Sequence, residues 1–202
     1  MNFLAHLYLA GEGDDFRLGG LMGDFIKGPL PGQLPPGLAA GVRLHRSIDS
    51  FADGHDAFQR SRHRVGPERR RYSGILVDMF YDHFLACHWS CFHAQPLEAY
   101  ASTVYGLLQA RESALPETMV PMVRAMAAGD WLTSYRDARQ VDLALARMGQ
   151  RRLPPPNPLA GALAVLAADY AGFEADFLAF LPDAMTFCDV MRKQLLAGVS
   201  PR

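Results

Sequence analysis

A chain of 202 residues is long enough for one sizeable core or two small domains, and its 50% hydrophobic, 20% charged composition excludes a disordered or fibrous protein. The formal net charge of −1 excludes bulk polyanion binding driven by total charge. Three cysteines, Cys87, Cys91 and Cys188, are odd in number and contain no C-x-x-C pair, which argues against a disulfide framework.

In chain order, MNFLAHLYLAGEGDD lacks a basic leader, carries His6 and turns acidic by Glu12, so it reads as a mature amino-terminal helix rather than a signal peptide. The proline-rich stretch 28–37 cannot be helix interior and reads as a surface loop. Apolar residues then recur with a 3.6-residue period through 68–95, 96–111, 117–128, 134–149 and 158–196, and no strand-like alternation is sustained. Pro67 reads as a helix start, Pro96 and Pro116 as further breaks or starts, and Gly129 as a helix end. The expectation is an all-α, single-domain bundle over 1–202, with 153–158 as a stiff connector to the terminal helices. No window of eighteen uninterrupted apolar residues exists, so a soluble, cytoplasmic protein without a membrane partner is expected.

Chemistry concentrates early: all seven histidines lie within the first 93 residues. The segment ILVDMFYDHFLACHW, 75–89, places Ile75, Asp78, Asp82, Leu85 and Trp89 on one helical stripe, so two carboxylates sit among large apolar side chains. Burying a carboxylate costs several kcal/mol, on the order of the penalty for any unpaired ion, unless something compensates it. Two compensations fit: a divalent ion, or ion pairs with Arg43 or Arg46. His45 and Asp49, four apart in LHRSIDSFADGH, share a helix face and can aim at one ion; Asp53 and His55 follow near the helix end, and Asp24 lies in a short apolar segment after Gly23. Imidazoles and carboxylates without a thiolate cluster suit Mn²⁺, Mg²⁺, Fe²⁺ or Zn²⁺. His83, His88 and His93, spaced by five, cannot converge on one ion from a single helix, and His83 is the preferred ligand among them. Cys87 and Cys91 share a face and read as small core residues. The dipeptide His55-Asp56 falls at a helix end and reads as coincidence with an HD signature.

The run RSRHRVGPERRR, 60–71, holds six arginines (Arg60, Arg62, Arg64, Arg69, Arg70 and Arg71) against one glutamate, a local charge of +5. Either it is a solvated helix start with scattered ion pairs, or its guanidinium forks recognise phosphate or carboxylate. The absence of interleaved aromatics argues against single-stranded nucleic acid.

Taken together, MNFLAHLYLA, GxLMGDFIKG, GVRLHRSIDSFADGH and RRRYSGILVDMFYDHFLACHW resemble the bacterial acyl carrier protein phosphodiesterases, a family similar to HD-type metal-dependent phosphohydrolases. The resemblance covers roughly 1–95. It implies an all-helical, HD-like enzyme that hydrolyses the phosphodiester joining 4′-phosphopantetheine to a serine of holo acyl carrier protein, with a divalent metal, most often manganese. The family pattern falls on His6, Asp24, His45, Asp49, Asp78, Asp82 and His83. We therefore expect metal ligands among His6, Asp24, His45, Asp78, Asp82 and His83. Asp24, His45, Arg46, Asp49 and Asp82 are expected at the catalytic centre, with Arg46 or Arg43 offsetting phosphoryl charge. The arginine run is expected to dock the acidic carrier protein. Two rival readings remain open: a small-molecule or nucleotide phosphohydrolase of the same metal type, and a non-catalytic module binding an acidic protein.

Overall fold

The structure, a computed structural model, describes residues 2–153 and 155–199. Its helices, in chain order, are α1 Phe3–Leu9, α2 Asp14–Met22, α3 Pro36–Gly54, α4 Asp56–Arg64, α5 Ser73–Cys87, α6 Trp89–Phe92, α7 Leu97–Ala110, α8 Val120–Ala128, α9 Trp131–Ser134, α10 Ala138–Arg152, α11 Ala162–Ala168 and α12 Tyr170–Val199. Short 3₁₀ segments, Pro67–Tyr72 and Glu112–Ala114, precede α5 and α8, and no strand occurs among the described residues. The all-α expectation is met. No helix among them is long and apolar enough to cross a membrane.

Local signals account for most boundaries. Pro36 sits in the first turn of α3, where a missing N–H costs nothing, so the proline loop ends where the helix can begin. Gly129 caps α8 as expected. The continuous helix expected over 68–95 is instead three pieces, because Pro67 opens a 3₁₀ turn and the backbone breaks at His88. His55 separates α3 from α4: its Nδ1 accepts from the Ala57 N–H as an N-cap, which leaves Nε2 to donate to Asp183.

One core cluster runs from Leu4 to Cys188. Helix α5 is its axis: Leu76, Val77, Phe80, Tyr81, Phe84 and Leu85 are all buried, so apolar side chains clothe the helix all round. The single buried stripe read from periodicity is thus too narrow, and Ile75, placed on it, is exposed. Cys87 and Cys91 are likewise exposed, not core residues; they lie at the carboxy-terminal end of α5 and on α6, past the point where the bundle covers them. Cys188 alone of the three is buried.

Helices α2 and α3 cross in close contact. A Cβ added at Gly19 would lie 2.5 Å from the Leu38 carbonyl and 2.7 Å from the Gly41 Cα, so only glycine admits this crossing. It brings the Gly20 carbonyl against the His45 side chain, and the candidate site starts from that contact.

Candidate metal centre

His45 Nδ1 lies 2.7 Å from the Gly20 carbonyl oxygen. A carbonyl only accepts, so Nδ1 carries the proton and Nε2 is the nitrogen turned to the site. One helical turn on, Asp49 places Oδ2 at 3.1 Å from His45 Nε2 and Oδ1 at 3.2 Å from His6 Nε2. Asp24, just past α2, brings Oδ1 to 3.6 Å from the same His45 nitrogen. The two imidazole rings stack at 3.8 Å between centroids. Both are buried, at 3% and 4% exposure, whereas Asp24 and Asp49 reach outward to solvent. Three separate elements, α1, the turn after α2, and α3, thus converge on one point, with ligand atoms of His6, His45 and Asp49 all within 4.8 Å of one another.

Two imidazoles in van der Waals stacking cannot both be cations, and the pKa shifts divide accordingly. Burial, helped by the neighbouring His45 charge, lowers His6 to about 4. Burial also opposes charge on His45, but hydrogen bonding to Asp24 and Asp49 outweighs it and raises His45 to about 9. Asp49 is held well below the carboxylate range: burial would raise it, and the two imidazole partners reverse that. Asp24 is lowered by its contact with His45. The ring nitrogens of His6 have no well-formed hydrogen bond although the residue is buried, an arrangement that a cation at Nε2 would resolve. Two imidazole nitrogens and two carboxylates fit a borderline or hard divalent ion.

The cluster opens on a cleft of about 590 Å³ whose wall includes Asp24, Asp49, Asp53 and Asp78. Lys27 is the one cation lining it among the described residues. Asp78 is pushed up by burial.

The remaining expected residues sit elsewhere. Asp82, fully buried, accepts from the backbone N–H groups of Leu4 and Ala5 and from Asn2 Nδ2, each at 2.9 Å. It caps the amino terminus of α1, whose own N-cap Asn2 makes no capping bond. The compensation demanded by this buried carboxylate is therefore a helix end, supplied from 78 residues away. Burial still pushes its pKa to about 7 against those donors. His83 uses Nδ1 on the Tyr135 carbonyl and Nε2 on the Tyr170 hydroxyl, so both nitrogens are committed outside the cluster. Arg46 does not face a phosphoryl site: its guanidinium donates to the carbonyls of Ile26 and Gly28, tethering the loop that carries Lys27. Arg43 is exposed.

The arginine run divides too. Arg60 and Arg64 both bind the buried carboxylate of Asp176 on α12 at 2.8 Å, and Arg64 also contacts Asp169. These two are structural partners, and the ion-pair reading holds for them. Arg62 and Arg70 instead line a separate pocket of about 270 Å³ with His63. Arg62 also reaches Asp53 at 3.4 Å, which joins this basic pocket to the rim of the acidic cleft.

A family model described as acyl carrier protein phosphodiesterase matches residues 1–184. The chain belongs to the acyl carrier protein phosphodiesterase family. Curated relatives named acyl carrier protein phosphodiesterase are 33% identical in Pectobacterium atrosepticum and in Photorhabdus laumondii over 92% of this chain, covering 96% and 93% of those proteins. One from Escherichia coli O157:H7 is 32% identical over the same share. No solved structure matches the chain. The family match extends well past the 1–95 stretch in which the sequence resemblance is legible. Residues beyond 95 also reach the cleft: Met122 on α8 and Met148 on α10 line it. Lys27, Gly23, Met122 and Met148 are site residues that sequence reading missed. Only Lys27 and Gly23, inside the MGDFIKG motif, carried any local signal.

Proposed function

We propose that this chain hydrolyses the phosphodiester between 4′-phosphopantetheine and the serine of holo acyl carrier protein in the cytoplasm, with a divalent ion held by His6, His45, Asp49 and Asp24. The observation that carries the reading is the His6, His45 and Asp49 cluster, with Asp24 beside His45, meeting an acidic cleft lined by Asp24 and Asp49 in a chain of this family. When bound, the ion supplies positive charge to the phosphoryl oxygens and acidifies a water, with manganese the first to test. The chain's own residues do the rest. The Gly20 carbonyl fixes the His45 tautomer and ring plane. Lys27 offsets phosphoryl charge from the rim. Asp78, on the cleft wall, is the residue we assign to give a proton to the serine oxygen as it leaves.

The direct test incubates holo acyl carrier protein with the purified protein and Mn²⁺ and reads the intact mass. Loss of the phosphopantetheine arm is expected; an unchanged mass with Mn²⁺, Mg²⁺, Fe²⁺ and Zn²⁺ would sink the proposal.

A Cβ at Gly23 would collide with the His45 ring. Gly23→Ala is thus expected to weaken Mn²⁺ binding by about 10–100-fold without removing a ligand, the effect typical of disturbed ligand support. Calorimetric titration checks this, and unchanged affinity would show that the glycine does not set the ring.

The carrier protein docks on the surface around Arg62 and Arg70, beside the cleft rim, rather than on the whole run. Arg70→Glu is expected to raise KM for holo carrier protein several-fold at low salt, with the difference fading at about 1 M salt as screening shortens to ~3 Å. Arg60→Glu should instead lower thermal stability, because it strips a partner from Asp176.

A further inference from the structure

The acidic cleft shares a wall with a second, neighbouring cavity of about 290 Å³. Asn2, Phe3, Met79, Met122 and Met148 line both. The chemistry changes across this shared wall. The cleft carries four aspartates, whereas the second cavity has no carboxylate in its lining among the described residues. Its far side is one face of α10: Gln140, Ala144, Arg147, Met148 and Arg151 follow at helical spacing. Trp131, on α9, closes another side. Neither Arg147 nor Arg151 pairs with a carboxylate among the described residues.

We infer that this annex seats the pantetheine arm of the substrate while its phosphodiester lies at the metal cluster; the inference rests on the phosphodiesterase reading above. The arm is a flexible chain with a branched apolar carbon, two amides and a terminal thiol. Methionine thioethers, unbranched and polarisable, adapt to such a chain, and Met79, Met122 and Met148 form the boundary that it would cross. Gln140, Arg147 and Arg151 then offer donors to the amide carbonyls at the far end. The size is right for a small flexible group: about 300 Å³ is the lower bound of ordinary small-ligand pockets. It is too narrow for the carrier protein itself, since a helix with its side chains is about 10–12 Å across. The protein part must stay outside, where Arg62 and Asp53 link the cleft rim to the basic pocket. The wall shared with the metal cleft and the reversal of charge across it together set the direction of the arm.

Ala144 and Gln140 line the annex but not the cleft, so filling it from them leaves the metal cluster untouched. The measurements are calorimetric affinity for free 4′-phosphopantetheine, kcat/KM for holo carrier protein, and kcat/KM for bis(4-nitrophenyl) phosphate, which has no arm. Ala144→Phe is expected to weaken 4′-phosphopantetheine binding and lower holo carrier turnover at least tenfold, with the armless diester changed less than twofold. Gln140→Trp, at an exposed position, repeats the test without risk to the core. If both variants bind 4′-phosphopantetheine and turn over holo carrier protein like the parent, the annex does not hold the arm, and the phosphodiesterase reading stands without it. If the parent cleaves neither diester with any divalent ion, the phosphodiesterase reading falls. Annex-dependent binding of 4′-phosphopantetheine would then still support the site, and its absence would remove both.

Discussion

Asp49→Asn is expected to lower kcat/KM for holo carrier protein on the order of 1,000-fold while the protein stays folded. Asp49 touches both imidazoles, with one oxygen on each. The substitution is isosteric but removes the charge that opposes an ion, and it leaves an amide N–H₂ where an oxygen faced His6 or His45. A metal contributes several kcal/mol of charge stabilisation, and each ~1.4 kcal/mol is tenfold in rate, which sets the size of the effect. Stability should change little, because Asp49 is 41% exposed and the helix around it is otherwise intact. The decisive comparison is melting with and without Mn²⁺. An ion that binds only the folded chain stabilises it by an amount that grows with the logarithm of concentration over Kd, about 2.7 kcal/mol at a hundred times Kd, and so raises Tm. The parent should show that rise and the variant should not. A variant stabilised as much as the parent would show that Asp49 is no ligand.

Asp82→Ala should behave in the opposite way, with a large loss of stability as its primary effect. The carboxylate is fully buried and satisfies the Leu4 and Ala5 N–H groups, the exposed start of α1. Two buried donors left without acceptors cost about 1–3 kcal/mol each, so a total of about 3–5 kcal/mol is expected. For a chain of this size each kcal/mol is worth roughly 2–4 °C, which puts the fall in Tm on the order of 10 °C. Asp82→Asn keeps one acceptor and should lose about half as much. That variant also separates capping from ligation: as a cap it keeps the Mn²⁺-dependent rise in Tm, and as a ligand it would lose it. Thermal melts at fixed Mn²⁺ read both quantities at once.

These two aspartates show how far the residues could be read in order. His45 and Asp49 are four apart on one helix, so their shared face follows from the 3.6-residue repeat alone, and the structure shows the same juxtaposition. Asp82 posed a sound question, since a carboxylate in that apolar segment does require compensation. Its answer lay in backbone N–H groups 77 and 78 residues away, and backbone donors leave no mark in side-chain composition. The arginine run fails for a related reason. Arg60 and Arg64 look identical to Arg62 and Arg70 in the sequence, and only the packing of α12 against α4 commits the first two to Asp176.

By itself, then, the order of residues settled the all-helical class, the breaks at Pro67 and Gly129, and the family, because these depend on local periodicity, on backbone stereochemistry and on motifs of neighbouring residues. Tertiary structure alone decided which polar groups of different helices meet. The glycine crossing of α2 and α3 brings Gly20 against His45, α1 swings His6 onto the same ring, and α10 lays Met148 along the cleft. The reason is physical: hydrogen bonds and ion contacts act over about 3–4 Å, and partners within that reach are chosen by how helices pack, not by their separation along the chain.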